Sequence, residues 1–167
     1  MKKQMIALAV ALTAAVAALA QGVQETAVMV GSVKVQAYTM SLDREAKAVQ
    51  NAVGQRLKEA GLKVKSVEGY QAAVEQVMPE IATAPVSFYT KVEEQGKKKN
   101  KVAVVTVCAL ATDLTADQAT VRGNVRAWLE GLPAYMARYD AAQSLQAEQA
   151  NLKKAEKEAA SAAAAVT

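Results

Sequence analysis

The chain has 167 residues, a net charge of +4 and no histidine, and Cys108 is its only cysteine. The absence of histidine excludes Ser-His-Asp and Cys-His nucleophile systems and imidazole metal sites, and a single cysteine excludes an internal disulfide. So mild a charge does not indicate a nucleic-acid partner. The 4% of aromatic residues disfavours platforms that stack on bases or sugars. We therefore expect a non-enzymatic protein with no cofactor, no metal and no small-molecule substrate.

The N-terminus has the three parts of a cleavable export signal. Two lysines precede an uncharged apolar run over residues 5–19, which ends in the small-x-small cleavage pattern Ala18-Leu19-Ala20. An apolar run of about 15 residues is short for a membrane span, which needs roughly 20. We therefore expect residues 1–20 to be removed as a signal peptide. No cysteine lies near the cleavage site for lipid attachment, so the expected location is periplasmic or secreted.

The first predicted strand covers residues 27–40. Val33, Val35 and Ala37 alternate with polar residues, which is the pattern of a half-buried strand. The phase of the alternation changes at Gly31, so we expect a β-bulge there.

A helix is predicted over residues 43–60, because its apolar residues recur at steps of three and four. Ser41 or Asp43 is the expected N-cap, and Gly61 suits the C′ position. The next segment is less clear. We expect a strand near residues 62–69, followed by irregular structure in which a short helix is equally compatible with the sequence.

Residues 85–111 predict a β-hairpin. Alternation up to Glu93 is followed by a polar turn that contains Gly96, and then by a nearly continuous apolar, β-branched run over residues 102–110. Such a run is typical of a strand that is buried on both faces near the centre of a sheet. Cys108 lies in this run without a cationic neighbour or a second cysteine, so we expect a buried core residue and not a reactive thiol.

The turn of this hairpin is basic. Its cations are candidates for contact with an anionic membrane surface, where each contributes on the order of 1 kcal/mol: Lys97, Lys98, Lys99 and Lys101. The alternative is a solvated hairpin tip that discourages association between sheet edges. Glu93 and Glu94 on the facing strand partly neutralise the cluster.

Two helical segments end the chain. Thr115-Ala116-Asp117-Gln118 has the form of a capping box and predicts a helix that extends to Leu132. Pro133 then predicts a kink or a restart. The tail beyond it is rich in Ala, Gln, Lys and Glu, which all favour helix. Its apolar stripe weakens along the chain, and the residues in it are candidate helix contacts: Tyr135, Tyr139, Leu145 and Leu152.

This order of features resembles small exported bacterial proteins of unassigned function. They combine an export signal, an α+β body with a Tyr-x-Lys-Val-Glu type strand, and a C-terminal Ala/Lys/Glu-rich helix. The strand motif here consists of Tyr89, Lys91, Val92 and Glu93. The resemblance implies the architecture and brings no catalytic residue.

The predicted fold is therefore α+β, with an antiparallel sheet in the order β-α-β-β-β-α that is packed by two helices. The expected division is a signal peptide (1–20), an α+β domain (21–132) and an Ala-rich helical extension (133–167). We expect an envelope protein that acts through protein contacts, by self-association or with a partner, partly through the C-terminal helix. A binder of anionic surfaces through the lysine turn is the alternative, and a periplasmic holdase chaperone is a further one.

Overall fold

A computed structural model describes residues 22–96, 101–111 and 117–164, with side chains as far as residue 161. The described residues form six strands and three helices: β1 (Gln24–Val30), β2 (Val33–Leu42), α1 (Ala46–Glu59), β3 (Lys65–Val67), β4 (Tyr70–Met78), β5 (Ala82–Gln95), β6 (Val102–Ala111), α2 (Gln118–Glu130) and α3 (Leu132–Ala164). The strands make one antiparallel sheet in the order β1-β2-β6-β5-β4-β3. The predicted α+β class, the antiparallel sheet and the long C-terminal helix are confirmed, and the sheet has two more strands than expected.

The first extra strand arises at Gly31. The chain reverses there instead of bulging, because Val30 pairs with Val33 and leaves a two-residue turn. Gly31 has a φ of 61°, and a type II′ hairpin turn places glycine at its first central position for this reason. The bulge prediction was therefore wrong. It failed because a chain reversal and a bulge change the phase of the alternation in the same way.

The second extra strand lies in the segment that was expected to be irregular or helical. β3 and β4 form a hairpin about Glu68 and Gly69, whose φ angles of 51° and 81° are those of a type I′ turn. β4 then pairs with β5 through a register shift near Glu75. The Glu75 N–H donates to Ser87 Oγ at 3.1 Å. This bulge interrupts the period-2 pattern in β4, which is why the strand was not predicted.

One face of the sheet carries the main core. The apolar stripes of α1 and α2 lie against it as predicted, and the rings of Phe88 and Trp128 meet edge to face at 5.1 Å. The predicted N-caps were wrong, whereas Gly61 lies at the C′ position of α1 as predicted, with a φ of 76°. α1 begins after Glu45 without a side-chain cap. Asp117 caps α2 by accepting a hydrogen bond from the Ala119 N–H at 3.0 Å. The N-cap is therefore Asp117 instead of the predicted Thr115, which lies outside the described residues.

The other face holds a smaller core, because the sheet curls. The Gly31 N–H at the tip of the β1–β2 hairpin donates to Glu68 Oε2 at the tip of the β3–β4 hairpin, at 2.6 Å. These hairpins stand at opposite ends of the strand order, so their contact requires a curved sheet. The enclosed cluster contains Val30, Val35, Ala37, Tyr70, Ala72, Tyr89 and Cys108.

α3 restarts after a break at Gly131, as the position of Pro133 predicted. Its first turns belong to the body, because Leu132 and Met136 are fully buried in the main core and Tyr139 packs against it. The expected domain division at residue 133 therefore falls inside the packed body, and the packing ends near Asp140.

Candidate functional site

The most exposed part of the described structure is the second half of α3. Every side chain from residue 141 to residue 161 is exposed, and we call this segment the α3 arm. Leu145 and Leu152 are 56% and 60% exposed. They are seven residues apart and so lie on the same side of the helix. From residue 141 to its end at Ala164, α3 extends about 36 Å.

The four predicted helix contacts divide into two pairs. Tyr135 is buried in the main core and its hydroxyl donates to Glu59 Oε2 at 3.0 Å, while Tyr139 stacks on it with ring centres 6.5 Å apart. Burial, aided by the hydrogen bond to Glu59, raises the pKa of Tyr135 to about 12. These tyrosines therefore attach α3 to the body. Only Leu145 and Leu152 remain available to another molecule.

Arg56 is the centre of this attachment, although no local pattern in the sequence indicated it. Its guanidinium lies 4.3 Å from the centre of the Trp128 ring and 5.5 Å from that of Tyr135. Arg56 Nη1 donates to the Trp128 carbonyl at 2.9 Å, and Nη2 lies 3.3 Å from Glu80 Oε2. Burial lowers the pKa of Arg56, against the opposing effect of Glu80, and an arginine stays protonated in proteins. One cation thus joins α1, the end of α2 and the start of α3.

A second polar contact lies at the last turn before the arm. Arg44, in the loop before α1, forms an ion pair with Asp140 on α3. Both side chains are about half exposed, so the pair contributes little to stability. Its position nevertheless adds a second point of contact between the body and α3, one turn beyond Met136.

The basic turn is only partly described. Lys97, Lys98 and Lys99 lie outside the described residues. Lys101 Nζ lies 2.7 Å from Glu94 Oε1 on the facing strand, and this hydrogen bond raises the pKa of Lys101. At this residue the structure therefore agrees with the alternative interpretation, in which acidic residues across the hairpin offset the lysines.

Cys108 has no exposed surface, and burial raises the pKa of its thiol to about 12. The thiol is protonated near neutral pH, so it lacks the thiolate that a nucleophile or redox centre needs. Among the described residues, no three His, Cys, Asp or Glu side chains are grouped to hold a metal ion. No helix in the described part of the chain is long and apolar enough to cross a membrane.

The outer edge of the sheet was also not predicted from the sequence. β1 lies at one end of the strand order, and Gln24, Glu25, Thr26 and Ala27 are exposed. Whether a half-buried strand is inner or at an edge depends on the order of strands in space, and the alternation over residues 27–40 is the same for the edge strand β1 as for its neighbour β2.

Comparison of the chain with protein-family models, curated proteins and solved structures found no match.

Proposed function

We propose that this chain is an exported, non-enzymatic envelope protein that binds another protein through the α3 arm. The observation that carries the proposal is the continuous exposure of residues 141–161 in a helix whose first turns are fixed in the core. Export is supported by the basic, apolar and Ala-x-Ala pattern of residues 1–20. The α+β body acts as the support from which the arm extends.

The partner that suits the arm is an amphipathic helix of another protein. Leu145 and Leu152 are separated by about 10 Å along the helix axis, which is the spacing of equivalent layers in paired helices. Ala141, Ala142 and Ala159 lie on the same side of the helix as the leucines and are small enough for a second backbone to approach closely. A helix as polar as this is marginal without tertiary contacts, so burial of the two leucines against a partner stabilises it.

Charges at the distal end of the arm suit the same partner. Lys153 and Glu156 lie on the leucine side of the arm, whereas the ion pair of Lys154 and Glu158, at 3.9 Å and with both residues well exposed, lies on the opposite side. Charges beside an apolar seam select partner and orientation in paired helices. The arm therefore has both an apolar seam and flanking charges of mixed sign.

The experiment is site-specific photo-crosslinking in intact cells. A photoreactive residue replaces Leu145 or Leu152 in one set of variants and Ala147 or Lys154 in the control set. Ala147 and Lys154 lie on the opposite side of the same helix. The proposal predicts a discrete adduct from the leucine positions only, with the attachment point mapped to a helix of another protein.

One further control tests the apolar seam itself. Changing the leucine that does not carry the photoreactive group to serine should reduce the adduct, because the seam loses half of its apolar area. Equal adducts from both sides of the helix, or no adduct from either leucine, would contradict the proposal. An adduct that maps to α3 of a second copy would replace the foreign partner by self-pairing of arms.

A further inference from the structure

The two edges of the sheet are built differently. The β3 edge is short, with three residues, and next to it the Gln76 side chain accepts from the Lys63 N–H at 2.8 Å and donates to the Lys63 carbonyl at 2.7 Å. In this register the Lys63 N–H and C=O point toward β4, and the Gln76 amide replaces a main-chain partner that the irregular part of β4 does not supply. The neighbouring bulge at Glu75 further interrupts this edge. Short edge strands and bulges are recognised protections against pairing with another chain.

The β1 edge has none of these protections. β1 has seven residues in unbroken register with β2, and Glu25 is its only charged residue. Two apolar side chains of the β1–β2 hairpin, Met29 on β1 and Val33 on β2, are 55% and 51% exposed. Among the described residues no strand pairs with the outer side of β1. A long, regular edge with exposed apolar side chains is suited to receive another strand.

The register with β2 shows which backbone groups of β1 are open. A two-residue hairpin turn is flanked by a hydrogen-bonded pair, here Val30 and Val33. Hydrogen-bonded and non-hydrogen-bonded pairs then alternate along an antiparallel ladder. The N–H and C=O groups of Glu25, Ala27 and Met29 therefore point away from β2 and toward the open edge.

These three residues are arranged symmetrically for antiparallel pairing with themselves. With a two-fold axis at Ala27, Ala27 faces Ala27 of the second copy and Glu25 faces Met29 of that copy. Every outward N–H and C=O is then satisfied, in about six main-chain hydrogen bonds. No like charges oppose each other in this register, whereas an axis at Glu25 would place two carboxylates together.

We propose that the β1 edge is a dimer interface, in which two copies pair antiparallel about Ala27 and join their sheets into one. The occupant is a second copy of this chain, because the outward main-chain groups of β1 complement themselves in this register and its single charge meets no like charge. A two-fold interface of this kind is closed and stops at two copies. The dimer carries two α3 arms, so a partner with two or more sites gains avidity.

The register makes a charge test possible at an exposed position. Met29→Glu places a carboxylate opposite Glu25 of the second copy, and Met29→Lys places an ammonium there. Directly opposed like charges destabilise a strand pair and opposite charges stabilise it. Because the pair occurs twice in the dimer, the two variants should differ on the order of tenfold in dimer dissociation constant. Analytical ultracentrifugation of the protein purified after export measures this difference.

Introduced cysteines test the position of the two-fold axis. The native Cys108 is buried and does not interfere. Ala27→Cys should form a disulfide-linked dimer, because residues in a hydrogen-bonded pair have Cα atoms about 5.5 Å apart, within disulfide range. Met29→Cys should not, because the two Met29 residues are then four positions apart, about 13 Å. The mixture of Glu25→Cys and Met29→Cys should cross-link.

The proposal is overturned if the exported protein is monomeric at all concentrations, or if Met29→Glu and Met29→Lys form equally strong dimers. It is also overturned if a Leu145→Ser, Leu152→Ser variant is monomeric while Met29→Glu is not, since the dimer would then form through the arms. Circular dichroism that matches the unchanged protein shows that each variant is folded. A β1 dimer without any adduct on the arm would instead refute only the proposed function.

Discussion

Replacement of Arg56 by methionine tests how α3 is held to the body. The change removes the charge-assisted hydrogen bond to the Trp128 carbonyl and the guanidinium that lies 4.3 Å from the Trp128 ring centre. A hydrogen bond to a charged group contributes about 1.5–3 kcal/mol, and a partly desolvated cation–π contact contributes about 0.5–2 kcal/mol. Methionine keeps the apolar packing of the arginine stem.

These contributions do not add fully, because methionine also avoids the cost of burying a cation. The Arg56 side chain is only 16% exposed, whereas its ion-pair partner Glu80 is 58% exposed. The Glu80 pair is therefore screened and contributes well below 1 kcal/mol. We expect Arg56→Met to lower the free energy of unfolding by about 2–3 kcal/mol, and Glu80→Gln to lower it by about 0.5 kcal/mol or less.

The assay is equilibrium unfolding in urea, followed by circular dichroism and by the fluorescence of Trp128, which is the only tryptophan in the chain. Arg56→Lys is the matched variant, because it keeps the charge and loses the planar guanidinium; we expect an intermediate loss. A loss below about 0.5 kcal/mol for Arg56→Met would refute the reasoning. Equal losses for Arg56→Met and Glu80→Gln would assign the effect to the ion pair instead.

Four further outcomes follow from other parts of the structure. Burial raises the pKa of Cys108 from 9.0 to about 12, so the folded protein keeps a proton that the unfolded chain loses. Its free energy of unfolding therefore falls as pH rises above 9, and in urea titrations Cys108→Ala should remove this part of the pH dependence. Gly69→Ala should lower the free energy of unfolding by about 1 kcal/mol. The loss comes from backbone strain alone, because φ is 81° and no atom crowds the added methyl group. Gly123→Ala, in the interior of α2 with equal space, should instead stabilise by about 0.5–1 kcal/mol in the same assay. Deletion of residues 141–167 should shift the thermal midpoint by less than about 2 °C in calorimetry, because the described arm is exposed throughout; a large fall would place the arm in the core.

The helices α1 and α2 were predictable because each has one apolar face against the sheet. Val49, Val53 and Leu57 repeat at the helical period, and all three are fully buried. Local signals were less informative where two structures share one pattern. Gly31 suits a bulge and a hairpin turn equally, and only the pairing of Val30 with Val33 distinguishes them.

Features that depend on distant parts of the chain were not predictable. Arg56 meets Trp128 across 72 residues of sequence, and neither residue carries a local signal for the other. The same holds for the outward groups of β1, which are open because no strand within residues 22–96, 101–111 and 117–164 lies beyond β1 in the sheet order. Tyr135 and Leu145 belong to one weak stripe in sequence, yet the first is buried and the second is exposed. That difference arises because the contacts of α3 with α1 and α2 end before the helix does.

The restart of α3 at Leu132 gives the protein a lever with a short inner end and a long outer end. Leu132 to Tyr139 pack in or against the core, and the helix then runs on unbroken to Ala164, about 37 Å beyond Tyr139. A rotation of about 10° at the packed end would move the tip by roughly 6 Å. Small changes in the packing around Arg56 and Tyr135 are therefore converted into large displacements at the tip. A partner bound at the tip, as proposed, would therefore be positioned by side chains in the core that it does not contact.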